Sequence, residues 1–143
     1  MPIEENKVVI RRIYDSEALR RGLAYLDDLV APDVVNHNPF PGTGPGIEGV
    51  KQAVAAMLHL FPDARFTVDD MIAEADKVAV RVTLRGTHRG SFMGRPPTGA
   101  AVASTETIVF RVAAGKVVET WASRDDLGFM RQLGAAPAIL EGP

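Results

Sequence analysis

Residues 117–134 read VVETWASRDDLGFMRQLG, and a change of period divides the run. In its first half Glu119, Trp121, Ser123 and Asp125 share one face of a strand, and Val118, Thr120, Ala122 and Arg124 the other. In its second half Leu127, Met130 and Leu133 recur every third residue, as on a helix. Asp125 or Asp126 can cap the first turn, and Gly134 can end the helix in the left-handed region. Asp125 therefore stands where a strand hands over to a helix. Trp121 precedes it by four positions, so both side chains point one way along the strand. An indole wall beside a carboxylate raises the acid's pKa.

Working outward, the strand pattern continues upstream. Phe66, Val68, Asp70 and Ile72 share a face of one strand, and EADK at 74–77 turns the chain into KVAVRVTLRGTH. There Val78, Val80, Val82 and Leu84 face one way, and Lys77, Ala79, Arg81, Thr83 and Arg85 the other. RGSFMGRPPTG (89–99) is a hairpin loop, a third strand covers about 101–112, and AAGK (113–116) returns the chain to the opening run. Ahead of the strands lie three helical segments. The first spans residues 4–20 with an apolar stripe of Val8, Val9, Ile13, Tyr14 and Leu19. The second holds Leu23, Leu26, Leu29 and Val30 and ends near Ala31, before Pro32. The third runs from Ile47 to Leu60 and stops at the FPD of 61–63. Between the last two, VVNHNPFPGTGPG (34–46) leads from a short strand into a long loop, so Asn36, His37 and Asn38 sit at a strand end. Helices grouped before a meander predict an α+β fold: a cone-shaped curved antiparallel sheet covered by three N-terminal helices, with an internal pocket and a short C-terminal helix.

The 143 residues suit a single domain over 1–143, with no repeat or linker. Composition narrows the chemistry. There is no Cys, which excludes thiolate nucleophiles, disulfides and cysteine-ligated zinc, and the three His lie in separate segments, so no metal is expected. A formal charge of −2 gives no basic footprint for nucleic acid. No apolar run approaches the 18 or so residues of a membrane span, and MPIEENKVVIRR lacks a signal peptide's apolar segment, so a cytoplasmic location is expected.

Several residues compete for functional roles. Asp125 is a base candidate or simply a cap. Arg81 faces either solvent or a substrate enolate. His37 and His88 are strand-end residues or proton shuttles. Glu106 shares a face with Ser104 and Ile108 and is expected on the outer side of the sheet, a pocket carboxylate being the alternative. Phe40, Phe92 and Met93, on loops, are the expected pocket rim, with Trp121 as a wall.

The stretches APDVVNHNP (31–39), LFPDARFTVDDMIAEADKVAVRVTLRGTHRGSFMGRPPTG (60–99), FRVAAGKVVETW (110–121) and DDLGFMRQLG (125–134) resemble the SnoaL-like polyketide cyclase family, within the nuclear-transport-factor-two-like, cystatin-like superfamily. The resemblance implies an aspartate at the end of the last strand acting as acid and base in an intramolecular aldol closure, without metal or cofactor. Asp125 is the matching position. The family often has an aromatic residue just before it, where this chain has Arg124, with Asp126 following. The leading expectation is thus a cofactor-free enzyme acting on a small apolar carbonyl compound by cyclisation or isomerisation. Asp125 removes a proton α to the carbonyl, and Arg81, His37 or His88 stabilises the enolate. Two rivals stand beside it: an epoxide-hydrolase type with an Asp125–Arg81–Glu106 relay, and a non-catalytic ligand-binding or dimerisation module. A sheet face with exposed Val and Leu predicts a homodimer in every case.

Overall fold

A computed structural model describes residues 2–135. Helices α1 (Pro2–Ile13) and α2 (Ser16–Arg21), a 3₁₀ turn (Leu23–Asp28), strand β1 (Val30–Asn36) and helix α3 (Gly46–Leu60) come first. Strands β2 (Arg65–Glu74), β3 (Lys77–Thr87), β4 (Ala101–Ala113) and β5 (Lys116–Arg124) follow, then helix α4 (Asp126–Gln132). Two expected boundaries move. The helix read over 4–20 breaks at Asp15, whose carboxylate accepts from the Glu17 and Ala18 amides at 3.0 and 3.2 Å. An acceptor there competes with continuation of the helix and starts a new one. The second expected helix shrinks to the 3₁₀ turn, because Val30 leaves it to pair with Val117. Pro32 fits this strand, since β1 lies at the sheet's edge.

The sheet is curved and unclosed, with order β1-β5-β4-β3-β2; β1 runs parallel to β5 and every other pair is antiparallel. Its register sorts the side chains. Val78, Val80 and Val82 of β3 and Ile108, Phe110 and Val112 of β4 point toward the helices, where they meet Val9 and Ile10 of α1 and Ile47 of α3. Burying side chains such as Ile10, Leu29 or Phe61 contributes about 1.5–3 kcal/mol each. A second cluster joins Phe61, Ala64, Val102 and Leu133, with Phe92 and Phe129 packed against it. It fastens α4 to the end of α3 and to the 89–99 loop. Gly134 has φ +74°, the left-handed exit expected after this helix.

The outward face is different. Ile72, Ala79, Val109 and Trp121 are consecutive cross-strand partners, an apolar row across four strands. Ile72 is 67% exposed, and Val35, beside Glu119 in the register, is 51% exposed.

Candidate active site

On the helix-covered face, β4 presents Ser104, Glu106, Ile108 and Phe110, and β5 presents Thr120, Ala122 and Arg124. Glu106 is the cross-strand partner of Arg124 on one side and Val82 on the other. Burial pushes its carboxyl above the usual range, Arg124 opposes that shift in part, and Asp126 adds to it. Tyr14, in the turn after α1, belongs to the same group. Its ring meets Phe66 and Phe110 edge-on, at 5.2 and 6.2 Å between centroids. Burial, then the Glu106 charge, holds its phenol well above the usual value, so the hydroxyl stays protonated. Among the described residues neither the Glu106 carboxylate nor the Tyr14 hydroxyl has a protein hydrogen-bond partner, and both side chains are half-buried. An acid with a raised pKa beside an uncommitted donor, both still reachable from solvent, is what a ligand site looks like.

Arg124 joins this group to the loop after β1. Its Nη2 donates to the Asn38 carbonyl at 3.1 Å, its guanidinium lies 4.2 Å from the Phe40 ring centre, and Nε sits 3.6 Å from Asp126. That last distance is an ion pair and not a hydrogen bond, and Nε is buried without an acceptor. The Asn38 side chain accepts from the Ala122 amide at 2.8 Å, which pins the loop to β5.

The residues expected from sequence fall in other places. Asp125 caps α4: its Oδ1 accepts from the Gly128 amide at 2.9 Å, and the side chain is exposed. Trp121 does not wall it in. The alternation was right, but the face that carries Trp121 points away from the helices, while Ala122 and Thr120 share the face of Ile108 and Phe110. There Trp121 stacks on His37 at 5.1 Å and 8°, with Lys77 Nζ 5.4 Å from its ring. His37 Nε2 meets Glu119 at 2.6 Å, and Arg111 Nε donates to the other Glu119 oxygen at 2.9 Å. These two bonds, His37's first, hold the Glu119 carboxyl below the usual range.

Arg81 is on the outward face too, 3.9 Å from Asp69. Since Glu106 faces inward, against the outward placement expected for it, the Asp125–Arg81–Glu106 relay is not assembled. His88 is fully buried, six residues along the chain from Val82, the partner of Glu106, and beside Phe61 at 6.4 Å. Its Nδ1 accepts the Thr98 amide at 3.2 Å, which places the neutral ring's proton on Nε2, an atom without a partner. Phe40 is exposed and lies under the Arg124 guanidinium. Phe92 instead packs edge-on against Phe129 at 5.8 Å, and Met93 is 72% exposed, outside any wall.

Tyr14 and Arg124 were missed. One looked like part of a helix's apolar stripe and the other like an interruption of a motif. The available signal was phase: Glu106 alternates with Ile108, Phe110 and Val112, the apolar face of its own strand. Among the described residues no three His, Cys, Asp or Glu side chains gather in a metal-binding arrangement, and no helix is long and apolar enough to cross a membrane.

A curved, unclosed sheet under helices, with a half-buried acid facing them, defines a cone-fold protein of the nuclear-transport-factor-two-like type. The sequence profile of the SnoaL-like polyketide cyclases matches residues 8–133, and the chain belongs to that family. It is similar to IdmH of Streptomyces antibioticus, a candidate polyketide cyclase, with 36% identity over 90% of this chain and 98% of that one, and a TM-score of 0.77. AclR of Streptomyces galilaeus, a candidate hydroxylase, shares 30% identity over 94% and 99% of the two chains, with a TM-score of 0.79. TsrD of Streptomyces laurentii shares 28% over 92% and 94%, with a TM-score of 0.75. No curated protein matches the chain.

Proposed function

We propose that this protein is an acid–base enzyme that closes a ring, or shifts a double bond, in a small apolar carbonyl compound, with Glu106 as the acid–base group. The observation that carries this reading is an inward carboxylate, raised by burial, uncommitted to any protein hydrogen bond, and opposite an arginine. Raising a carboxyl's pKa strengthens it as a base toward a carbon acid. Glu106 takes a proton from the carbon α to a carbonyl; the Tyr14 hydroxyl and the Arg124 guanidinium lie on the same face to receive the enolate oxygen. The carbanion attacks a second carbonyl, a C–C bond forms, and the new alkoxide recovers the proton from Glu106. The proton removed is the proton returned, so the balance needs no co-reactant. Family membership and the likeness to IdmH support the cyclase side of the reading. Asp125, the position implied by the family resemblance, is given the cap instead, because its carboxylate is already spent on Gly128.

The test uses α-proton exchange into D₂O, read by NMR on a panel of aryl β-keto esters. Glu106→Gln is expected to slow exchange by about 10²–10⁴, the usual worth of a positioned base. Unchanged exchange in Glu106→Gln, with loss in Asp125→Asn, would overturn the assignment. We also propose a homodimer through the outward apolar row. Light scattering of the wild type is expected near twice the 15.4 kDa chain mass, and Ile72→Asp at about one chain mass. A monomeric wild type at micromolar concentration would rule it out.

A further inference from the structure

The outward face pairs its arginines with acids in two places: Arg81 lies near Asp69, and Arg111 donates to Glu119. At the other end of the β2–β3 ladder the pattern stops. Arg65 and Arg85 are direct cross-strand partners, both exposed, and neither forms an ion pair among the described residues. Arg85 makes one long contact, 3.4 Å to the Thr67 hydroxyl. Like charges facing each other across an antiparallel pair, with Cβ atoms about 5 Å apart, repel and destabilise the ladder. Asp63 attracts Arg65 through its charge but forms no ion pair with it among the described residues. Asp63 gives both oxygens to Thr87, at 2.7 Å from its amide and 2.8 Å from its hydroxyl.

The two arginines also border a cleft of about 300 Å³, completed by Gly86, Thr87, Ala101, Val102, Ala103 and Gln132. It exists because β5 ends early. Past the Glu106–Arg124 pair the free edge of β4 is taken up by the Gln132 side chain, which accepts from the Ala103 amide at 2.9 Å and donates to its carbonyl at 2.7 Å. A side-chain amide thus stands in for a strand, and α4 forms a firm wall. Ala101 and Ala103, paired with Thr87 and Arg85, leave room above the sheet.

We infer that this cleft is an anion site, in which Arg65 and Arg85 together hold a phosphoryl or carboxylate group of a small molecule. Each guanidinium offers a planar fork of N–H donors matched to two oxygens, and a bridging oxyanion turns a repulsive pair into two charge-assisted contacts. The site lies on the sheet face opposite Glu106, so it is independent of the acid–base chemistry proposed above.

The experiment titrates the ¹⁵N-labelled protein with inorganic phosphate and, separately, with acetate, at constant ionic strength balanced by chloride. Expected are saturable shifts at the amides of 85–87 and 101–103 and at the Arg65 and Arg85 side chains. Saturation by phosphate alone assigns a phosphoryl group, and saturation by acetate as well admits a carboxylate. The Arg65→Ala/Arg85→Ala double variant should weaken binding by about tenfold or more, the loss expected for charged hydrogen bonds. Arg11→Ala/Arg12→Ala, which removes two exposed charges from α1, should leave it unchanged. Arg85→Lys, which keeps the charge and the fold but loses the fork, should fall between. Shifts that never saturate with either anion, or equal affinity in the wild type and the double variant, would overturn the inference.

Discussion

Replacing Asp125 separates its two candidate roles, because the structure gives the cap a definite size. The carboxylate satisfies one orphan amide of α4, that of Gly128 at 2.9 Å, from an exposed position. Removing such a cap costs about 0.5–2 kcal/mol, typically about 1, while Asn caps about as well as Asp. In a chain of this length each kcal/mol moves the Tm by roughly 3 °C. Asp125→Ala should therefore lower the Tm by about 3 °C, and Asp125→Asn should leave it within about 1 °C. Gly128→Ala provides an independent check. A methyl there would lie 2.2 Å from Asp125 Oδ2, so the carboxylate must swing away and the cap is lost by another route. Differential scanning calorimetry reads all three, and α-proton exchange should remain near wild type in each. An Asp125→Asn variant with native Tm but exchange slowed a hundredfold would return the base to Asp125 and refute the reasoning. An unshifted Tm in Asp125→Ala would show that the cap contributes nothing.

Three further outcomes follow from other parts of the molecule. Since the folded Glu106 carboxyl titrates above its unfolded value, its stabilising effect is present at low pH and is lost as pH rises from the unfolded toward the folded pKa; urea midpoints of Glu106→Gln should gain on the wild type across that rise, and parallel pH profiles would contradict it. Glu119 has the opposite sign: its folded pKa is depressed, so its contribution is present above the unfolded pKa and is lost as pH falls through the folded one. Glu119→Gln should lose less stability on acidification than the wild type, and an equal acid slope would refute the bonding to His37 and Arg111. Gly86→Ala builds a methyl 2.6 Å from Phe61 Cβ, in a site where Phe61 is 1% exposed; such overpacking costs about 1–3 kcal/mol, so a Tm drop of about 3–9 °C is expected, and no drop would mean the β3–α3 contact is looser than drawn.

What the sequence made legible was everything set by period and punctuation. The meander, its turns at 74–77 and 113–116, the Ile47–Leu60 helix, the switch to helix after β5 and the glycine exit at Gly134 all follow from local pattern, and the structure has them where they were read. The site was harder because alternation gives two faces without saying which is inside. Trp121 was read as a pocket wall because it shares a face with Asp125, yet the register sets Thr120 and Ala122, not Trp121, beside the core residues Phe110 and Ile108. Choosing that face wrongly carried Asp125 and Arg81 toward a pocket and Glu106 away from it, one error propagated through a ladder whose register is strict. A local cue pointed the other way: in β4 the acid keeps step with Ile108, Phe110 and Val112, and a strand of that composition buries the row bearing its branched and aromatic residues. Tyr14 had no such cue. It reaches Glu106 from the turn after α1, some ninety residues earlier in the chain, and only the packing of its ring against Phe66 and Phe110 brings a phenol and a carboxylate together. A site assembled across such a separation is carried by tertiary packing, which is why the fold was read from this sequence more completely than its chemistry.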